Sequence, residues 1–359
     1  MGGNVIVRVI AILLSVSILC SGCDLIGFNN ESSYDAKAAS AAGETITVYS
    51  ARHYEADSAL FAAFTKMTGI PVNEVKGTAE ELVGKMKQDG PNSSADLFFA
   101  VDGGVLSYAK REQVLQPLRT AAIDSQVPKK WRDPDEYWIG VATRARVLVY
   151  AKDRVKREEL STYEALTDAK WKGRLLVRSS ASLYNQSLLA SFISLNGSRQ
   201  AAQWARGIAG NLARQPEGGD REQALAIVDG IGDVAIMNTY YLGQLSISAD
   251  PDEAKAPDKL GVVFPNQTTT GTHVNISGIG LARYAPRKDK AVKLVEFMTS
   301  KEGQTLLVSR SFEYPVNEEA KLPELIASWG TFKSQLVAFS ELGDRQREAN
   351  ELFQASGWQ

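Results

Sequence analysis

The sequence predicts an α/β fold of two lobes joined by extended crossovers, with largely parallel sheets. Three observations predict it. Short β-branched runs alternate with stretches of helical periodicity. The unit occurs four times without a fixed period of about 20 to 50 residues, which excludes solenoids and propellers. The 359 residues, 44% of them apolar, are enough for more than one core.

In chain order, Thr45-Ile46-Thr47-Val48-Tyr49-Ser50 reads as the first strand, and Glu55 to Thr68 follows as a helix with Ala56, Leu60, Ala63, Phe64 and Met67 on one face, ended by Gly69-Ile70-Pro71. The second copy is the strand Asp96 to Val101 with the helical stretch through Tyr108, and the third is Arg174 to Arg178 with the helix through Leu188, Leu189, Phe192 and Leu195. The fourth is Asp233 to Met237, then Asn238-Thr239-Tyr240-Tyr241-Leu242-Gly243. Val147 to Lys152 reads as a strand carrying the chain from one lobe to the other, and Gly261 to Pro265 with His273 to Ser277 as the pair carrying it back. Helices from Asp289 onward pack around the lobes, and Trp171 and Trp204 serve as core or lobe-surface anchors.

The N-terminus reads as an address. Arg8 precedes the apolar run Val9 to Leu19, which has the length and flanks of a secretory signal and is too short for a membrane span. Leu19-Cys20-Ser21-Gly22-Cys23 resembles a bacterial lipobox, with Cys20 where Leu is usual, so residues 1–23 are expected to be a lipoprotein signal peptide with Cys23 lipidated. An ordinary signal peptide with incidental cysteines is the other reading. Residues 24–43, rich in Asn, Ser, Ala and Gly, are expected to be a flexible tether, which makes the protein exported and lipid-anchored at a membrane.

Composition removes several functions. Forty Lys+Arg against 42 Asp+Glu gives a net charge of -2, so no basic field exists to hold nucleic acid. Both cysteines, Cys20 and Cys23, lie in the leader, which leaves the mature chain without a thiol nucleophile, a thiolate metal site or a disulfide. Gly-x-Ser-x-Gly, His-Glu-x-x-His and Walker motifs are missing, and nothing places a nucleophile beside His53, so a binding protein rather than an enzyme is expected.

Ligands of open α/β sheets bind beyond the carboxyl ends of strands, where helix N-termini converge. Those junctions hold Arg52, His53 and Tyr54 after the first strand, Tyr184 and Asn185 after the third copy, and Tyr240 and Tyr241 after the fourth. A phenol is a poor ligand at neutral pH, its pKa being near 10, but a highly charged cation such as Fe³⁺ displaces the proton, and three phenolates balance its charge. His53 adds an imidazole donor, and Arg52 and Arg178 provide cations beside the phenolates. Singly, each residue has another reading: a Tyr doublet at a helix start caps a core, a lone His53 is a surface histidine, and His273 in its strand is structural. Tyrosine rings with Arg52 or Arg178 also suit a small anion or a polyamine.

The run Val48-Tyr49-Ser50-Ala51-Arg52-His53-Tyr54, with Phe64-Thr65-Lys66-Met67-Thr68-Gly69-Ile70 behind it, is similar to the start of periplasmic ferric-iron-binding proteins, the substrate-binding subunits of iron ABC transporters. Arg178 to Ser187, Asn238 to Gly243, Phe264 to Gln267 and Gly271 to Gly278 resemble later blocks of that family in order, so that the likeness runs from Glu44 to about Val316. The resemblance implies a two-lobed type II periplasmic-binding-protein fold with a metal in the interlobe cleft. It implies lobes at 44–145 with 271–320 and at 146–270 with 321–359. The ligands it implies are Tyr54, Tyr184, Tyr240 and Tyr241, with His53 coordinating as in some members, and Arg52, Arg178 and Asn185 around them. Fe³⁺ is the expected cargo; a His-containing, Arg-flanked site also accommodates Fe²⁺, with carbonate, another anion or water optional. The expected partner is an ABC permease, and the expected state a monomer.

Overall fold

A computed structural model describes residues 45–359. The signal peptide, Cys23 and the tether lie outside the described residues. The strands are β1 (Ile46–Ala51), β2 (Val72–Lys76), β3 (Leu97–Ala100), β4 (Leu115–Gln116), β5 (Ile139–Ala151), β6 (Leu175–Leu176), β7 (Val234–Asn238), β8 (Leu260–Val263), β9 (Val274–Ala282) and β10 (Tyr314–Pro315). They follow the order β2-β1-β3-β9-β5-β7-β6, with β4 on β9 and both β8 and β10 on β5.

The expected largely parallel sheet is corrected to a mixed one. Parallel pairing is confined to β1 with β2 and β3, and to β6 with β7. β9 runs antiparallel to β3, and β5 antiparallel to β7, β8, β9 and β10. The cause is the crossovers: strands that carry the chain between lobes re-enter each sheet against its direction, a polarity that alternating strand and helix signals do not encode.

β5 belongs to both halves of the sheet. Its residues 139–145 pair with β9 and its residues 146–150 with β7, so the partner changes between Ala145 and Arg146. All thirteen of its residues are buried. Apolar side chains gather accordingly: Val48, Leu60, Phe64, Ile139 and Leu294 pack in one core, and Leu148, Trp171, Phe192, Trp204, Ile236 and Phe353 in another. The fold is thus an α/β protein of two lobes, and Trp171 and Trp204 are core residues, the latter stacked on Phe192 at 4.2 Å. No helix among the described residues is long and apolar enough to cross a membrane.

Candidate metal-binding site

Three chain segments bring phenols to one place. Tyr54 sits at the N-cap of helix Glu55–Thr68, just past β1. Tyr184 is the second residue of helix Leu183–Asn196, which follows β6. Tyr240 and Tyr241 open helix Tyr240–Ser246 directly after β7. All three positions lie at helix N-termini that follow strand ends, where α/β proteins gather ligand-binding groups. Gly243 keeps the third helix close: a Cβ there would lie 2.2 Å from the Phe312 ring.

The hydroxyls meet. Tyr240 Oη donates to Tyr184 Oη at 3.1 Å, and Tyr54 Oη lies 3.5 Å from Tyr184 Oη. The Tyr54 and Tyr240 rings stand edge to face at 5.4 Å, and the Tyr240 and Tyr241 rings lie 4.2 Å apart. Burial, reinforced by the neighbouring phenols, pushes the Tyr54 and Tyr240 pKa values well above the ordinary 10, and Tyr241 follows mainly through burial. Without a cation these groups are therefore neutral phenols.

The surroundings are cationic. Arg52 is buried, gripped bidentately by Asp57 at 2.8 and 2.9 Å and by Glu313 at 3.2 Å, with its plane 4.3 Å from the Tyr54 ring centre. Burial opposes its charge, but the two carboxylates more than offset that and hold it protonated. Arg178 reaches Tyr241 Oη at 3.5 Å and lies 5.2 Å from the Tyr184 ring centre. Asn185 touches no phenol. Its Oδ1 accepts from Arg146 Nη2 at 2.7 Å and its Nδ2 donates to the carbonyls of Arg178 and Ser179, so it shapes the loop that enters the Tyr184 helix.

His53 is exposed at the rim, its ring 4.7 Å from that of Tyr54, and lines a cavity of about 470 Å³ with Tyr54, Tyr241, Gln244 and Arg310. Partial loss of hydration, then the Arg52 and Arg144 cations, lowers its pKa, which keeps the imidazole lone pair free at neutral pH. His273 lies apart, buried against Gln335 with its pKa held down to about 3, chiefly by burial.

Sequence reasoning missed Arg144. It is 1% exposed on β5 and lies 5.2 Å from the Tyr184 ring centre. It donates to Ser277 Oγ at 3.3 Å and to the carbonyl of Val101; among the described residues no carboxylate forms an ion pair with it, and the carboxylate acting on it, Glu313, is reached through Ser277. The signal was Thr143-Arg144-Ala145-Arg146 inside an otherwise apolar run. Among the described residues no three His, Cys, Asp or Glu side chains group to hold a metal, so the concentrated oxygen donors are the phenols.

Known proteins share this frame. Residues 59–334 match the family of bacterial extracellular solute-binding proteins. The chain is 43% identical over 326 residues to iron uptake protein A1 of Synechocystis, covering 90% of this chain and 91% of that one. It is 28% identical over 285 residues to the major ferric iron-binding protein of Neisseria meningitidis, covering 78% and 83%. The structure of Trichodesmium IdiA (FutA) with iron and citrate superposes with a TM-score of 0.82 at 41% identity, over 88% of this chain and all of that one. A ferric binding protein from Campylobacter jejuni gives 0.82 at 36% identity, over the same shares. With two lobes, a cleft of this make-up and matches along most of its length, the chain belongs to the bacterial extracellular solute-binding proteins, in the group of periplasmic ferric-iron-binding proteins.

Proposed function

We propose that this protein captures ferric iron as the substrate-binding subunit of an ABC importer, with Tyr54, Tyr184, Tyr240 and Tyr241 as phenolate ligands and His53 as a further donor at the rim. The observation that carries the reading is the contact of three buried phenol hydroxyls from separate segments beside Arg144, a buried cation that forms no ion pair among the described residues. A buried unpaired charge is costly, and phenolates formed on metal binding would relieve it.

Charge supports the ferric ion. Arg52, Arg144 and Arg178 lie against the phenols as cations, and phenolates formed on a highly charged metal ion would be stabilised by them. Carbonate or water remains an optional further ligand.

The cycle is capture, closure and delivery. One lobe, taken as 44–145 with 271–320, offers His53 and Tyr54; the other, taken as 146–270 with 321–359, offers Tyr184, Tyr240 and Tyr241. Iron bridging them favours the closed form by its higher affinity for it. A permease recognises that form and removes the ion, and the protein itself catalyses nothing. Residues 1–23 export the chain, Cys23 anchors it as a lipoprotein, and residues 24–43 let a monomeric receptor move at the membrane.

The test is optical. Iron-free protein given ferric citrate should develop a visible phenolate-to-iron absorption that weakens in Tyr240→Phe and Tyr241→Phe. A protein that stays colourless contradicts the assignment and favours a small anion or polyamine in the cleft.

A further inference from the structure

The segment from helix Phe339–Asp344 through helix Gln346–Ser356 to Trp358 touches both lobes and the loop that sets a proposed ligand. At its start, Phe339 packs 6.1 Å from Trp131 and 6.0 Å from Trp138 between ring centres and covers Gly103. Gly343 lies on Gly104 of helix Gly103–Arg111 so closely that a Cβ on Gly343 would fall 2.9 Å from the Gly104 carbonyl oxygen. Asp344 accepts from Arg111 at 2.9 Å.

At its far end, Phe353 and Trp358 are buried in the second core, and the Trp358 indole N–H donates to the carbonyl oxygen of Arg178 at 2.8 Å. That carbonyl also accepts from Asn185 Nδ2 at 2.9 Å. Arg178 is the residue whose guanidinium faces Tyr241 Oη and the Tyr184 ring. Two hydrogen bonds on one carbonyl fix where Arg178 starts, and thereby where its charge falls relative to the phenols.

We propose that Trp358 is a positioning residue for the metal site and that the segment Phe339–Trp358 is a strap linking lobe closure to the placement of Arg178. The proposal rests on phenolate ligation as read above. The strap acts through the Arg178 carbonyl at one end and through the helix that starts at Gly103 at the other, and between them it bonds the helix of Tyr184, where Gln346 Nε2 donates to Gln186 Oε1 at 2.9 Å.

The experiment measures iron affinity and the visible absorption of full-length Trp358→Phe and Gly343→Ala beside the wild type, with ferric citrate as the iron source. Trp358→Phe keeps an aromatic ring but loses the N–H donor and part of the buried indole, so affinity should fall about three- to tenfold and the absorption maximum should move. Gly343→Ala wedges the strap from Gly104, so affinity should fall and, if the strap passes that displacement to Arg178, the maximum should move in the same direction as in Trp358→Phe. Wild-type absorption and affinity retained by both variants overturns the strap while leaving phenolate ligation standing. If Trp358→Phe does not fold, Gly343→Ala decides alone, and unchanged affinity there overturns the proposal. A wild type without the absorption removes the phenolate reading and the strap with it.

Discussion

Arg144 and Arg146 stand two residues apart on the same strand, each 1% exposed, and their surroundings could hardly differ more. Arg146 is paired with Asp220 at 2.8 Å, and it also donates to Asn185 Oδ1 and to the Ile236 carbonyl. Arg144 meets one hydroxyl, one carbonyl and the face of the Tyr184 ring. The strand changes partner between them, from β9 to β7, and Arg144 bonds Ser277 on β9 while Arg146 bonds the Ile236 carbonyl on β7. A buried charge is tolerated when its counter-charge is present. Arg146 has its counter-charge in direct contact, whereas Arg144 reaches Glu313 only through Ser277, and on the proposed reading the phenolates formed at metal binding supply its close counter-charge.

Breaking the donor side should have the largest effect. Structural metal sites are worth about 10–16 kcal/mol over four ligands, so each oxygen lost costs about 3 kcal/mol, and the double variant Tyr240→Phe with Tyr241→Phe should bind iron on the order of 10⁴-fold more weakly. Equilibrium competition with a chelator measures it, and affinity within tenfold of wild type rejects the ligand assignment.

Next comes the structural arginine. Asp220→Ala strips Arg146 of its counter-charge and should destabilise the iron-free protein by about 3–5 kcal/mol in denaturant unfolding. A stability change under ~1 kcal/mol would mean that Arg146 finds solvent or another partner. Arg144→Gln should behave in the opposite sense: iron-free stability unchanged or raised, because an unpaired buried charge is removed, and iron affinity lower by roughly 10–100-fold, as for other groups that touch metal ligands. Loss of stability without loss of affinity would reverse the roles given to the two arginines.

Much of this was legible in the sequence, and the rest was hidden for definite reasons. The helix Glu55–Thr68 shows because Leu60 and Phe64 keep a 3.6-residue period up to a glycine, and that glycine, Gly69, adopts φ 74° at the cap. The tyrosines show because strand-end positions are where α/β proteins place ligands. β5 showed only from Val147 onward, since Arg144 and Arg146 interrupt the apolar run, although the strand starts at Ile139. Strand direction did not show, because side-chain alternation is the same either way along the chain. The carboxylates that neutralise Arg52 did not show together either: Asp57 is five residues away, but Glu313 is 261 residues away, and only the folded chain joins them. Asn185 was placed beside the phenols by its neighbour in sequence, whereas one step along a helix turns a side chain about 100° and sends it to Arg146 instead.

The most direct measurement is the pH dependence of iron affinity. Burial keeps the phenols of Tyr54, Tyr240 and Tyr241 protonated in the iron-free protein, their pKa values being raised, so binding must expel protons and affinity must climb as pH rises. Corrected for hydrolysis of the iron source, the logarithm of affinity between about pH 5 and 8 should rise with a slope near the number of ligated phenols, about four, and Tyr240→Phe should lower that slope by about one. Iron held equally well into acid, or a variant slope equal to that of the wild type, would contradict the account.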